Sequence, residues 1–322
     1  IYDGIMLSDV QTGQVDLSRY SLTDIASITL NAGENDDIFL PARASTSSST
    51  IVVNTFSDRD FLNPALRLDA RMRMGAFSMY NPYVKIGKSI AEKFVISATA
   101  DFLSAKNDYP YTLAGENSKE SYRRENSQMN AGKAELGCSW RPTSSSSFAA
   151  KIYYYGADRH LPGPALYYNP DNNERLRDEN TFAQASCRTR LSSVLSLQGN
   201  AKFNWSRSHY TDRDEVHPGG LLDRLYFQRE YYAAAALLYA PAPGLQLEYS
   251  VDWVLNNLNS TQPDDTRPYR NSILQMIAAK YRYRWLSVTA KALYSIYINK
   301  AVAGEDGKNA GRLSPSLGFS FQ

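Results

Sequence analysis

The chain has 322 residues, 43% of them apolar, a formal net charge of +2 and a mean hydropathy of −0.44. No window offers the roughly 18 to 20 consecutive apolar residues of a spanning helix, which excludes a helical membrane protein. The near-neutral charge removes any electrostatic reason to expect nucleic acid as a partner, and leaves a soluble globular fold or a β-barrel.

Residues 1–56 alternate short apolar runs, ITL from Ile28 and TIVVNTF from Thr50, with the polar stretches NAGENDD and STSSST. This is the texture of a small mixed α/β unit. Ser21 and Asp24 stand at the capping-box offset ahead of an apolar run, which predicts one helical turn feeding a strand. The chain opens on IYDGI, without a methionine or a leader, and is expected to be a fragment.

From Pro64 onward the pattern has period two. Leu66, Leu68, Ala70, Met72 and Met74 share one face, with Arg67, Asp69, Arg71 and Arg73 on the other. Leu245, Leu247, Tyr249, Val251 and Trp253 likewise oppose Gln246, Glu248, Ser250 and Asp252, and Leu286 to Ile298 repeats the device. A helix would scatter these residues, whereas a strand separates them. Strands of about 9 to 14 residues exceed the globular mode of about 5 to 6 and suit a tilted crossing of a bilayer.

The connections alternate in length. Short ones fall at 90–93, PTSSSS, PAPG and 283–285, and long ones at 107–127, 158–180, 208–224 and 257–270. All long loops therefore leave one rim, as in outer-membrane barrels. About twelve strands are expected, the last being LSPSLGFSFQ. Tyrosine is abundant, 23 residues against 12 Phe and 4 Trp, and rings with polar tips suit a membrane surface. Trp140, Phe148 and Trp285 fall beside short turns, while Trp205 and Trp253 fall near long loops. Cys138 and Cys187 share parity with outward positions two strands apart, about 9 to 10 Å, too far for a disulfide. The inward face is polar, so the lumen holds water or a polar filler, and residues 1–56 are the expected filler.

The opening run resembles the second half of the plug domain of TonB-dependent outer-membrane receptors. Ile1-Tyr2-Asp3-Gly4-Ile5 and Asp24-Ile25-Ala26-Ser27-Ile28 carry that likeness. QTGQVDLSRYSL, IYYYGADRHLPGPALYYNP and RLSPSLGFSFQ look most like the cobalamin-type receptors of Bacteroidetes. The family's Arg-Gly-Pro is replaced by Asn31-Ala32-Gly33, and Pro41-Ala42-Arg43-Ala44-Ser45 followed by serines replaces its glycine-rich run. The resemblance implies a mostly β chain: residues 1–56 as the C-terminal part of the plug and 57–322 as the N-terminal part of an antiparallel barrel of about 22 strands.

It also implies active import of a bulky ligand such as cobalamin, an iron-siderophore or haem, in a Gram-negative outer membrane. Import would be energised by the TonB-ExbB-ExbD complex through a segment ahead of Ile1, with a surface lipoprotein as a possible further partner. No cofactor, resident metal or catalytic residue is implied. On the plug apex, Ser8, Asp9, Gln11, Thr12 and Gln14 are short hydrogen-bonding groups, and Gly13 allows φ > 0 at the loop tip. In the outer loops Tyr109, Tyr111, Tyr167 and Tyr168 offer rings on proline-stiffened segments. His160, His209 and His217 fall in predicted outer loops, and His160 is the candidate for a ligand contact. Arg67, Arg71 and Arg73 are expected to pair with acids of the plug or to steer an anionic ligand.

Two rival readings come from other classes. One is a small barrel enzyme of the lipase or protease type, with His160 or His209 and a loop serine. The other is a soluble carbohydrate-binding β-protein. No Gly-x-Ser-x-Gly, His-Glu-x-x-His or Cys-x-x-Cys motif is present.

Overall fold

The computed structural model describes residues 1–7, 16, 19–20, 25–32, 37–47, 49–56, 58–62, 64–114, 119–164, 172–261, 267–300 and 307–321. Near the start, β1 (Ser27–Ala32) and β2 (Ser49–Asn54) pair antiparallel. The first residues run beside β2: Asp3 N–H donates to the Val53 carbonyl at 2.8 Å, and Val53 N–H to the Ile1 carbonyl at 2.8 Å. The helical turn expected at Ser21 and Asp24 lies outside the described residues, while the strand it would feed forms as β1. A short helix, α1 (Asp58–Leu62), follows.

Fourteen further strands come next: β3 (Arg67–Gly75), β4 (Met79–Ile90), β5 (Phe94–Ala105), β6 (Pro110–Ala114), β7 (Lys119–Arg123), β8 (Met129–Thr143) and β9 (Ser146–Leu161). The series continues with β10 (Glu174–Arg190), β11 (Leu195–Asp212), β12 (Leu222–Ala242), β13 (Leu245–Ser260), β14 (Tyr269–Tyr283), β15 (Leu286–Lys300) and β16 (Ala310–Phe321). Twelve of these form one antiparallel sheet in chain order from β3 to β16, and β6–β7 is a separate hairpin within the first long connection. The sheet has the twelve strands expected, but they reach 21 residues in β12. The excess arises because the strand pairing continues into segments that periodicity alone assigns to loops.

Burial is inverted relative to a water-soluble fold. On β13, Glu248, Ser250 and Asp252 are 3%, 0% and 0% exposed, whereas Leu247, Tyr249 and Trp253 on the other face are 39%, 46% and 40% exposed. Packing these apolar residues against a second layer, as the soluble reading requires, does not occur. An apolar outside and a polar inside is the arrangement of a transmembrane barrel wall. The rings bear this out: Trp140 and Phe148 pack at 5.3 Å beside one short turn, and Trp285 and Phe321 at 5.7 Å beside another. Cys138 and Cys187 are free thiols.

Two details depart from the simple pattern. The β3–β4 connection, on the long-loop rim, is a tight turn with Phe77 and Ser78 both at φ 57, so the short/long alternation is not strict. Pro82 sits inside β4. Lacking an N–H, it interrupts the ladder to β5 between the pairs Tyr80–Ser104 and Tyr83–Asp101. The Asn81 side-chain amide fills the gap by donating to the Phe102 carbonyl at 2.6 Å.

The wall makes one clear prediction. Ile152 is 54% exposed on the outward face of β9, beside Leu136 and Ala183. Ile152→Arg is expected to lower the unfolding free energy in a lipid bilayer by about 2 to 4 kcal/mol. An unchanged value would mean that this face meets water.

Candidate functional site

The N-terminal unit is held against the inward wall by two buried polar networks. In the first, the Lys151 ammonium on β9 lies between Asp3 and Glu135 of β8, pairing with Asp3 and lying 2.6 Å from Glu135 Oε1. It also donates to Thr55 Oγ1 at 2.7 Å. Thr55 in turn donates to Asp3 from its backbone N–H and its hydroxyl, both at 2.7 Å. The Tyr2 hydroxyl donates to Glu135 Oε2 at 2.7 Å, and its ring carries the Lys151 ammonium 4.2 Å from the centroid. Every member thus satisfies another, the condition under which charge can be buried.

The second network centres on β11, β12 and β13. Glu230 pairs with Lys202 at 3.0 Å and with Arg43 of the N-terminal unit at 3.2 Å. Asp252 accepts the backbone N–H groups of Ala42 and Arg43 at 2.9 and 3.0 Å and the Tyr232 hydroxyl at 2.9 Å. Ala42 and Arg43 begin the 3-10 turn Ala42–Thr46, whose own N-cap residue, Pro41, makes no side-chain capping bond. A carboxylate from the wall therefore supplies the cap that the local sequence lacks.

Between the networks, four rings cross the same boundary. Tyr20 stacks on Tyr153 of β9 at 5.4 Å, Tyr153 on Phe182 of β10 at 4.8 Å, and Tyr2 meets Tyr20 at 5.0 Å. Burial pushes the Tyr20 phenol well above its ordinary pKa. The Tyr153 hydroxyl donates to the Arg19 carbonyl, and Arg159 reaches Asp178 at 3.5 Å and Asp16 at 3.8 Å. A polar-lined wall and its filler are joined here by apolar as well as charged contact.

The candidate residues fall in three groups. Ser8, Asp9, Gln11, Thr12, Gly13 and Gln14, with Tyr167 and Tyr168, lie outside the described residues. Tyr109 packs edge-on against Phe77 at 6.1 Å, and Tyr111 stacks on Tyr122 at 5.7 Å within the β6–β7 hairpin. His160 belongs to the end of β9 rather than to a loop, with Nδ1 2.6 Å from Asn126 Oδ1 and 3.1 Å from Gln128 Nε2. His209 likewise lies within β11, its Nε2 2.9 Å from Asp223 Oδ1. Among the described residues, neither histidine has a serine in these contacts.

The structure brings Tyr111 and His160 to one junction through residues that the sequence did not single out. Arg124 lies over the Tyr111 ring at 5.8 Å and donates to the Pro162 carbonyl at 3.0 Å. Asn126 donates to the carbonyls of Leu161 at 3.1 Å and Glu174 at 2.9 Å. Two long connections are thereby tied together at the rim.

The arginine row behaves differently from expectation. Arg67 pairs with Asp60 of α1 at 2.6 Å, Arg71 with Asp69 on its own strand at 2.6 Å, and Arg73 with the side chain of Asn81 on β4 at 2.9 Å. These partners are local. The acids and amide offered within a few residues or on the adjacent strand supply these contacts. Lys151, Glu135, Lys202, Glu230 and Asp252 hold the filler instead. Their signal was charge at inward parity on central strands.

An open sheet of twelve strands, oily on one face and polar on the other, with the N-terminal unit bonded to its polar face, is the arrangement of part of a transmembrane barrel wall. No protein-family model and no curated protein sequence matches the chain. Solved structures do. The FrpB iron transporter from Neisseria meningitidis matches with a TM-score of 0.72 at 11% identity, over 93% of this chain and 50% of that one. The copper transporter OprC gives 0.70 at 11%, over 99% and 51%, and the siderophore receptor PiuA from Acinetobacter baumannii 0.62 at 9%, over 99% and 53%. These neighbours are TonB-dependent outer-membrane transporters and receptors, and this chain shares their fold while spanning about half their length.

Proposed function

We propose that the chain is part of an outer-membrane receptor for TonB-energised import of a bulky ligand. Residues 1–56 act as the C-terminal part of its plug and 57–322 as the N-terminal part of its barrel. The observation that carries this reading is the pair of closed, buried networks joining residues 1–56 to the inward wall. Charge and hydrogen bonds supply much of this attachment, beside smaller apolar clusters such as Tyr2 and Val53 with Tyr153 and Phe182, so displacing the filler means breaking discrete polar contacts as well as separating apolar ones. The TonB-ExbB-ExbD complex would pull through a segment ahead of Ile1, the lipid of the outer membrane would surround the wall, and a surface lipoprotein would cap the long-loop rim.

For cargo, an iron-siderophore complex stands first, because a siderophore receptor is among the structures of like fold; cobalamin and haem follow. Ser8, Asp9, Gln11, Thr12, Gly13 and Gln14 would present hydrogen bonds from below, with Tyr109, Tyr111, His160, Tyr167 and Tyr168 above. The test is binding and uptake by the receptor in cells lacking its own copy. Replacing Asp9, Gln11 and Gln14 together by alanine removes three hydrogen bonds of about 1 kcal/mol each, and is expected to weaken binding on the order of 100-fold. Uptake that persists without TonB would overturn the mechanism, and unchanged affinity in the triple variant would overturn the apex assignment.

A further inference from the structure

On its outward face the wall has a groove of about 470 Å³ between β4 and β9. Ala100, Gly132 and Ala134 form its floor, and Val84, Phe102 and Tyr154 its sides. The register places Ala100, Ala134 and Tyr154 in one row and Phe102, Gly132 and Gly156 in the next. A Cβ on Gly156 would come 2.8 Å from the Tyr154 hydroxyl. The Tyr154 ring therefore leans along its strand over Gly156, with the hydroxyl aimed at the long-loop rim.

The level of this groove follows from strand geometry. Asp158 is about ten residues beyond Phe148, whose ring marks the short-turn boundary. At about 3.3 Å per residue and a tilt of about 40°, this is a rise of about 25 Å, the height of the apolar band. The groove ends where that band ends. At that boundary Arg175 Nε donates to Asp158 Oδ1 at 2.7 Å, and Arg177 Nε lies 3.4 Å from Asp158 Oδ2. Both arginines have the parity of outward Ala183 and Ala185 on β10. Two guanidiniums share one carboxylate, which leaves a surplus positive charge, and the Arg177 side chain is 49% exposed.

We propose that this face binds one phosphorylated lipid of the surrounding leaflet, its acyl chain in the groove and its phosphate on the Arg175–Arg177 pair. An oily slot facing lipid accepts a chain, and the guanidinium N–H groups not spent on Asp158, those of Arg177 above all since Arg175 already holds Asp158 through both Nε and Nη2, can donate to phosphate oxygens. The assignment rests on the membrane reading above but not on transport or cargo.

The test uses purified, delipidated protein and native mass spectrometry. The probes are bis-phosphorylated lipid A, the same lipid without its phosphates, and inorganic phosphate. One retained lipid A is expected, weakened about tenfold to a hundredfold by loss of the lipid's phosphates or by R175Q/R177Q. Gly132→Leu is expected to weaken it too by filling the groove. A Cβ at Gly132 meets nothing closer than Phe102 Cδ2 at 3.8 Å, so Gly132→Ala serves as the control that folds and binds. Equal affinity for the dephosphorylated lipid, inorganic phosphate binding as tightly as the lipid, or retention unaffected by both variants would overturn the proposal. Ligand uptake is expected to be unchanged in all these variants, so loss of lipid binding and loss of import are separable.

Discussion

Lys151→Met is expected to loosen residues 1–56 from the wall and to destabilise the protein by about 3 to 5 kcal/mol, the cost of breaking a buried pair by removing one partner. The reason lies in what the ammonium separates. Asp3 and Glu135 approach it from the N-terminal unit and from β8, and both side chains are only 10% exposed. Without the cation, two carboxylates face each other in a space that water barely reaches, and Thr55 loses the donor at its hydroxyl. Thermal unfolding in detergent would show the loss, and protease cleavage near Tyr2 would show the release. Adding Glu135→Gln should restore part of the stability, since the repulsion then has one charge fewer. A melting point and cleavage rate equal to those of the parent would refute the assignment of Lys151 as the clamp.

Glu230→Leu is expected to be at least as damaging, because one carboxylate serves cations from both sides of the boundary. Lys202 and Glu230 have side chains 1% exposed, and Arg43 reaches the same carboxylate from the filler. Loss of Glu230 leaves Lys202 with the Met6 carbonyl at 3.5 Å, and places two cations together at about 3 to 5 kcal/mol. The double variant Glu230→Leu, Lys202→Leu should recover a substantial part. Hydrogen exchange at Ala42 and Arg43 gives an independent reading, since their N–H groups bond to the neighbouring Asp252. Exchange and stability both unchanged would show that this cluster does not hold the filler.

The wall was legible in the sequence because one physical variable, odd or even position, decides which medium a side chain meets. That rule placed Glu248, Ser250 and Asp252 inside and Leu247, Tyr249 and Trp253 outside. The partners across the lumen were not legible. Tyr2 bonds to Glu135 and Ala42 to Asp252, separations of 133 and 210 residues, and no local pattern encodes which inward charge meets which filler group. Arg71 shows the opposite case: Asp69, two residues away on the same face, was in plain view as its partner. Of the rim candidates, Tyr109 packs against Phe77 and Tyr111 against Tyr122, ring contacts that composition does not foretell. His160 was assigned to a loop because the pairing that extends β9 beyond the bilayer leaves no periodic signal among polar residues.

The Asp252 carboxylate, capping a turn that belongs to the filler, has a bearing on assembly. The conformation of residues 42–46 is written partly into a strand two hundred positions later, so that turn gains its cap only when β13 is in place beside it. A filler transplanted into a foreign barrel would arrive with two backbone donors and no acceptor, which sets a barrier to recombination between receptors that share little but their outline.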